Sequence, residues 1–193
     1  MEAFWVYFQL GFEHISDVNG YDHILFIIAL CAVYQIKEWK SLVILITAFT
    51  VGHSITLALA TLQLISVSSE WVEFLIPVTI FLTCIFNFHY KEKRQRKRRG
   101  LRYWVAVFFG LVHGLGFSNY LRALLGKEES IFSPLLSFNL GLEIGQLMIV
   151  GLLLILSFLF ISLKVKQREW LLLLSGAAGG ISFIMMLERI PMS

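Results

Sequence analysis

The chain has 193 residues, of which 58% are hydrophobic and only 15% charged, with a net charge of +3 and a mean hydropathy of +0.76. A soluble globular domain has roughly 45–50% apolar and about 25% charged residues, so the composition excludes that class. At roughly 20 apolar residues per crossing, there is room for about six or seven membrane spans. We therefore predict an all-α, polytopic membrane helix bundle that forms a single transmembrane domain over residues 1–193.

The predicted elements begin with an aromatic, apolar segment, residues 1–15, which is too short to span and suits an interfacial or re-entrant helix. Hydropathy then predicts six transmembrane helices. In chain order they cover residues 21–36, 41–67, 71–90, 101–125, 133–163 and 170–190.

Basic residues predict the orientation, because most of the 16 Lys and Arg residues lie in alternate loops. The largest group is "KEKRQRKRRG", residues 91–100, between the third and fourth helices. The positive-inside rule places these loops in the cytoplasm and both termini outside, as expected for an inner (cytoplasmic) membrane protein. A short basic loop between two spans is an orientation signal, so we predict no nucleic-acid partner.

Polar residues in the predicted spans suggest a metal site. An ionisable side chain in the bilayer is costly, and it usually faces a cavity, a partner or an ion. Imidazoles with one or two carboxylates are the ligand set of Zn, Ni, Co or Fe sites. The predicted ligands are Asp22, His23, His53, His113 and Glu143. The predicted supporting residues are His14, Ser54, Asn139 and Gln146.

Two of these residues have a simpler interpretation. Asp22 follows Asn19-Gly20 and is equally well placed to cap the first helix, since acids favour a helix N-terminus. His14 lies in the interfacial segment and is equally well placed as a solvated surface group. Three GxxxG pairs, Gly110/Gly114, Gly141/Gly145 and Gly176/Gly180, predict close helix packing.

Four stretches together resemble a known family: "GFEHISDVNGYDHILFIIAL", "FTVGHSITLALA", "FGLVHGLGF" and "FNLGLEIGQL". They are similar, in order, to the HupE/UreJ membrane proteins, especially their second, shorter branch. Members of the first branch are associated with hydrogenase and urease maturation and are regarded as nickel or cobalt permeases. The resemblance carries His14, Asp22 and His23 onto the family's first motif, and His113-Gly114 onto its second. The acid of the second motif stands on the next helix here, at Glu143.

Three functions remain open from the sequence. The first is a metal-cation permease of nickel or cobalt type, although we recognise no internal inverted repeat and no polar path through the cytoplasmic halves of the helices. The second is an intramembrane zinc hydrolase acting on a lipid or lipid-linked substrate, with Glu143 as general base. The third is a non-catalytic accessory subunit. The expected partners are membrane lipids and the metal ion, and a homo-oligomer is left open.

Overall fold

The structure, a computed structural model, describes residues 2–89, 99–125 and 131–191. Within those ranges the chain is helical and contains no strand. The eight α-helices are α1 (Glu2–Ser16), α2 (Asp22–Cys31), α3 (Trp39–Thr61), α4 (Ser69–Phe88), α5 (Arg99–Gly116), α6 (Ser118–Leu125), α7 (Phe132–Ser162) and α8 (Gln167–Glu188).

Four of the helices in the described part of the chain, α3, α4, α7 and α8, are long and apolar enough to cross a membrane. A fifth crossing is present if α5 and α6, which are bent by 51°, form one span. The prediction of an all-α membrane bundle is therefore confirmed, while helix length and composition do not give six spans. The predicted basic loop at residues 91–98 lies outside the described residues.

Two predicted transmembrane helices differ from the structure: the fourth is divided by the bend between α5 and α6, and the first is shorter than predicted. In the structure α2 ends at Cys31, and its 10 residues extend only about 15 Å, half the thickness of the hydrocarbon core. Hydropathy predicts a helix to residue 36 because Ala32, Val33 and Tyr34 are apolar, and the structure buries all three. The chain has left the helix there, and the Tyr34 N–H donates to the Cys31 carbonyl in a tight turn.

Helix α1 packs along α7 at a very short distance, which glycines permit. A Cβ at Gly11 would overlap the Phe138 carbonyl, and a Cβ at Gly141 would overlap the Phe8 carbonyl. Further along both helices, Ile15 faces Gly145. Later residues of α1 thus meet later residues of α7, so the two helices run in the same direction. Helix α1 therefore lies against an apolar helix of the bundle, and its position relative to a membrane stays a prediction.

Helix α5 packs along α3 in the same way. A Cβ at Gly52 would overlap the Val107 carbonyl, and a Cβ at Gly110 would overlap the Phe49 carbonyl. At Gly114 the obstruction is the backbone and side chain of α3. The pairs Gly110/Gly114 and Gly141/Gly145 are therefore close contacts as predicted.

The third predicted GxxxG pair, Gly176/Gly180, makes no close helix contact within the described residues. A Cβ at Gly176 or Gly180 would meet no atom of the described residues within 4 Å. Instead, Gly179, which lies between them in the sequence, packs against Cys84 of α4. The two helices are antiparallel, since Phe81 contacts Phe183 while Asn87 donates to Ser175 nearer the start of α8.

The two halves of the chain form an inverted repeat. Helices α3 and α7 cross antiparallel, because His53 lies beside Phe138 while Thr47, earlier in α3, donates to Glu143, later in α7. Helices α1 and α7 therefore run opposite to α3 and α5. In chain order, α1, α3 and α4 therefore run opposite to their counterparts α5, α7 and α8.

The contacts repeat residue by residue. Gly11 of α1 meets Phe138 of α7 as Gly110 of α5 meets Phe49 of α3. The sequence did not reveal the repeat because few residues coincide. Among the few are the Glu-Trp pairs that open α4 and α8, residues 70–71 and 169–170.

Candidate metal centre

Four histidines meet where the helices break. His14 lies in the last turn of α1 and His23 in the first turn of α2, on either side of the break at residues 17–21. His53 lies within α3, and His113 lies in the last turn of α5, just before the bend to α6. His23, His53 and His113 are buried and His14 is half-buried. The glycine contacts of α3 with α5, and of α1 with α7, bring these helices close enough for the imidazoles to meet.

Three of the imidazoles have the geometry of a metal site. His14, His23 and His53 each offer a ring nitrogen, and these three nitrogens all lie within 4.8 Å of one another. A tetrahedral ion at about 2.1 Å from each nitrogen separates them by roughly 3.4 Å. Small side-chain movements would therefore bring the three onto one ion.

His113 lies at the edge of this group, with its ring centroid 5.4 Å from that of His23. Its Nδ1 is 2.8 Å from the Phe109 carbonyl oxygen. A carbonyl only accepts, so Nδ1 carries the proton and Nε2 keeps its lone pair. His113 thus presents the atom that a neutral histidine uses to bind a metal.

Buried nitrogens without partners support the same conclusion. Among the described residues, five imidazole nitrogens are buried and lack a hydrogen bond: Nε2 of His14, Nε2 of His23, both nitrogens of His53 and Nε2 of His113. A buried polar atom left unpaired costs about 1–3 kcal/mol. A bound cation would satisfy several of them at once, so the residues present fit a transition-metal ion.

Asp22 orients one of the histidines. Its Oδ1 lies 3.0 Å from His23 Nδ1 and also accepts the His23 backbone N–H, while its Oδ2 lies 3.4 Å from Arg189 Nη1. A carboxylate that holds one imidazole nitrogen, leaving the other for the metal, is the usual second layer of a metal site. Asp22 lies behind His23 and outside the three-histidine group.

Glu143 lies in a different place from the histidine group. Its carboxylate accepts from the Thr47 hydroxyl at 2.6 Å, at the crossing of α3 and α7. The two side chains line a crevice of about 300 Å³ together with Thr50, Ser54 and Asn139.

The other three predicted supporting residues make hydrogen bonds to groups other than the histidines. Gln146 accepts from Thr50 at 2.8 Å, Ser54 donates to the Thr50 carbonyl, and Asn139 donates to the Leu135 carbonyl. Gln146 and Thr50 therefore join α7 to α3 beside His53. Of the four supporting residues that we predicted, only His14 enters the three-histidine group.

A cavity of about 240 Å³ connects the histidines to one end of the bundle, where α4 begins and α8 ends. We call this the cavity end, and the end that contains Lys37 and Arg168 the opposite end. The sequence did not identify Glu73, Phe117 or Arg189 as residues of the site. The polar and aromatic residues of the wall are His14, Asp17, Asp22, His23, Glu73, His113, Phe117 and Arg189.

Fold and site together define a helical membrane protein with a buried histidine centre at broken helices. The chain belongs to the HupE / UreJ protein family, whose model matches residues 1–189. This confirms the family that the four motifs predicted. No curated protein and no solved structure matches the chain.

Proposed function

We propose that this chain is a membrane permease for a divalent transition-metal ion, with His14, His23 and His53 as its ligands and His113 as a fourth. The observation that carries the proposal is the approach of three imidazole nitrogens, from three separate helices, to within 4.8 Å of one another. Nickel and cobalt are the first candidates because the family is associated with their transport, and zinc binds the same donors.

The inverted repeat supports transport. In many transporters two halves of opposite topology meet at the substrate site, which is built from discontinuous helices in corresponding positions. Here α1–α2 and α5–α6 are the corresponding broken pairs, and both breaks contribute histidines to the centre. The sequence contains no recognisable inverted repeat, which weighed against a permease. The inverted arrangement of the helices removes that objection.

The proposed topology has six crossings. Helices α1 and α2 run in the same direction, and together their 15 and 10 residues are long enough to form one broken span. Lys37, Lys40 and Arg168 lie at the opposite end of the bundle. By the positive-inside rule that end is cytoplasmic, so the cavity and both termini face outside the cytoplasmic membrane.

A zinc hydrolase is the second candidate, and one observation favours it. Among the described residues the cavity lies on the cavity-end side of the histidines, and Phe26, Phe49 and Phe109 pack on the other side. A hydrolase, however, needs a general base beside the metal-bound water. The base predicted from the sequence, Glu143, does not line this cavity, although Glu73 does. The inverted arrangement of the helices therefore carries the preference for the permease.

Metal binding and flux test the proposal. We expect the purified chain to bind close to one Ni²⁺, Co²⁺ or Zn²⁺ per molecule by calorimetry and elemental analysis, and His53→Ala to lose at least tenfold in affinity. In vesicles that contain a metal-sensitive dye, the unmodified chain should pass the bound ion faster than the variant.

The matched control is His89→Ala. His89 lies at the end of α4, exposed and outside the centre, so this variant should bind and transport as the unmodified chain does. Stoichiometric binding without flux, together with release of fatty acid from a lipid, would support the hydrolase. Absence of saturable binding would contradict both metal-dependent functions.

A further inference from the structure

Two aromatic clusters flank the histidine centre, and each has the same composition. On one side, Phe117 lies 4.0 Å from His14 and 5.0 Å from Phe138 between ring centroids. On the other, Phe26 lies 4.9 Å from His113 and 4.9 Å from Phe49. In both clusters one histidine and two phenylalanines contact each other.

The inverted repeat relates the histidine and one phenylalanine of each cluster, while Phe26 and Phe117 stand at positions whose counterparts are Leu125 and Val18. His14 and His113 each stand three residues after the glycine that contacts the partner helix. Phe138 and Phe49 are the residues whose carbonyls meet those glycines. His53 lies between the clusters, 6.1 Å from Phe49 and 6.4 Å from Phe138.

The clusters lie on opposite sides of the centre along the bundle. Phe49 comes one turn before His53 in α3, and Phe109, which contacts Phe26, comes one turn before His113 in α5. Both helices run toward the cavity end, so this cluster is on the opposite side of the histidines. Phe117 follows His113 by four residues and lines the cavity itself.

The clusters differ in burial. Phe26 is 1% exposed and Phe49 is 0% exposed. Phe138 is also buried, but Phe117 is half-buried at the wall of the open cavity. We call Phe26 and Phe49 the closed-side gate, and Phe117 and Phe138 the open-side gate.

A buried polar contact holds the closed side together. The Asn87 amide of α4 donates to the Ala29 carbonyl of α2 at 2.7 Å and to the Ser175 hydroxyl of α8 at 3.0 Å. Three helices are tied at that end in a site that excludes water. At the cavity end, Asn119 of α6 donates to Ser69 of α4 at 3.1 Å, but this bond is exposed and competes with water.

We propose that the two clusters are the alternating gates of one transport cycle, and that the present structure is the state open to the cavity end. This inference rests on the permease function proposed above. In the second state the two repeats exchange conformations. The open-side gate then closes over the histidines, while the closed-side gate separates and opens a cavity toward the opposite end. An ion on the histidines reaches only one side at a time.

The test compares two reporter cysteines in the full-length chain, with Cys31 and Cys84 first replaced by alanine. Ile76→Cys reports on the open side, because Ile76 lines the cavity. Ala106→Cys reports on the closed side, because Ala106 is fully buried and precedes Phe109 by three residues in α5. Labelling rates with a small, charged thiol reagent are measured on purified protein in detergent, so no metal or transport is needed.

Asn87→Ala should shift the population toward the second state. We expect the reaction of Ala106→Cys to accelerate roughly tenfold, the scale of one buried hydrogen bond, and that of Ile76→Cys to slow. Asn119→Ala is the matched control and should change neither rate by more than about twofold, since an exposed bond contributes little. Phe26→Leu makes the closed-side gate smaller without adding a polar atom. Like Asn87→Ala, it should accelerate the labelling of Ala106→Cys and slow that of Ile76→Cys.

Reciprocal changes at the two reporters are the result expected. Faster labelling at Ala106→Cys with no slowing at Ile76→Cys would indicate a leak and overturn the proposal, as would unchanged rates in both folded variants. These outcomes are separate from failure of the permease function. A chain that binds no metal can still show reciprocal labelling, and a chain that binds metal can fail to show it.

Discussion

His23 and Asp22 are adjacent in sequence and bonded twice. The Asp22 Oδ1 lies 3.0 Å from His23 Nδ1 and 2.9 Å from the His23 backbone nitrogen. The paired contacts fix the imidazole at the start of α2 and direct Nε2, which has no hydrogen-bond partner in the described part of the chain, toward His14 and His53. The sequence predicted Asp22 either as a metal ligand or as a helix cap. In the structure its carboxylate orients His23, a proposed ligand.

Asp22→Asn should weaken metal binding without abolishing it. The amide keeps the shape but loses the charge that stabilises the protonated Nδ1, and mutations of this kind lower metal affinity roughly 10–100-fold. Calorimetric titration with Ni²⁺ or Zn²⁺ measures the change. Glu13→Gln is the control, because Glu13 pairs with Gln9 on the exposed face of α1. Equal affinity in both variants would remove Asp22 from the centre.

Glu143→Gln should leave metal affinity within about twofold of the unmodified chain, since carboxylates contribute strongly only when they coordinate or orient a ligand. Glu143 is bonded to Thr47 in the α3–α7 crevice, outside the three-histidine group. Calorimetric titration with Ni²⁺ or Zn²⁺ measures the metal affinity of this variant. A tenfold or greater loss would show that Glu143 reaches the ion, as the sequence predicted.

Gly11→Ala should destabilise the bundle. The added Cβ would overlap the Phe138 carbonyl, which belongs to the backbone of α7 and cannot rotate away. Overpacking of this kind costs about 1–3 kcal/mol, and we expect a lower Tm by thermal unfolding in detergent. Gly176→Ala is the control: its Cβ would meet none of the described atoms within 4 Å, and alanine favours a helix over glycine. A Tm for Gly11→Ala at or above that of the control would contradict the close contact of α1 with α7.

A cysteine at Gln95 should react with an impermeant thiol reagent only from the cytoplasmic side, because the basic loop containing it is predicted to be cytoplasmic. Labelling of intact cells, compared with labelling of inverted vesicles, measures this. A cysteine at Glu73, beside the cavity, should react in intact cells. Modification of the Gln95 cysteine in intact cells would invert the proposed topology.

The sequence by itself determined the class of the protein and most of its spans. Long apolar runs in water-poor surroundings form helices because each backbone group must find a partner within the segment. The positions of α3, α4, α7 and α8 follow from that requirement alone. The sequence also singled out His23, His53 and His113 as ligands, because ionisable groups in apolar runs are costly unless they are partnered. It predicted His14 only as a supporting residue.

Only the tertiary structure decided where the helices break and how they pack against one another. Hydropathy records apolarity and not hydrogen bonding, so it could not locate the end of α2 at Cys31 or the bend between α5 and α6. The inverted repeat rests on backbone contacts at Gly11 and Gly110, which leave little trace in side-chain identity. The separation of Glu143 from the histidines depends on the rotation of α7 about its axis. That rotation is set by the packing of α7 against α1 and α3. Asn139, Glu143 and Gln146 mark one face of α7 in the sequence, but they do not show which helix that face meets.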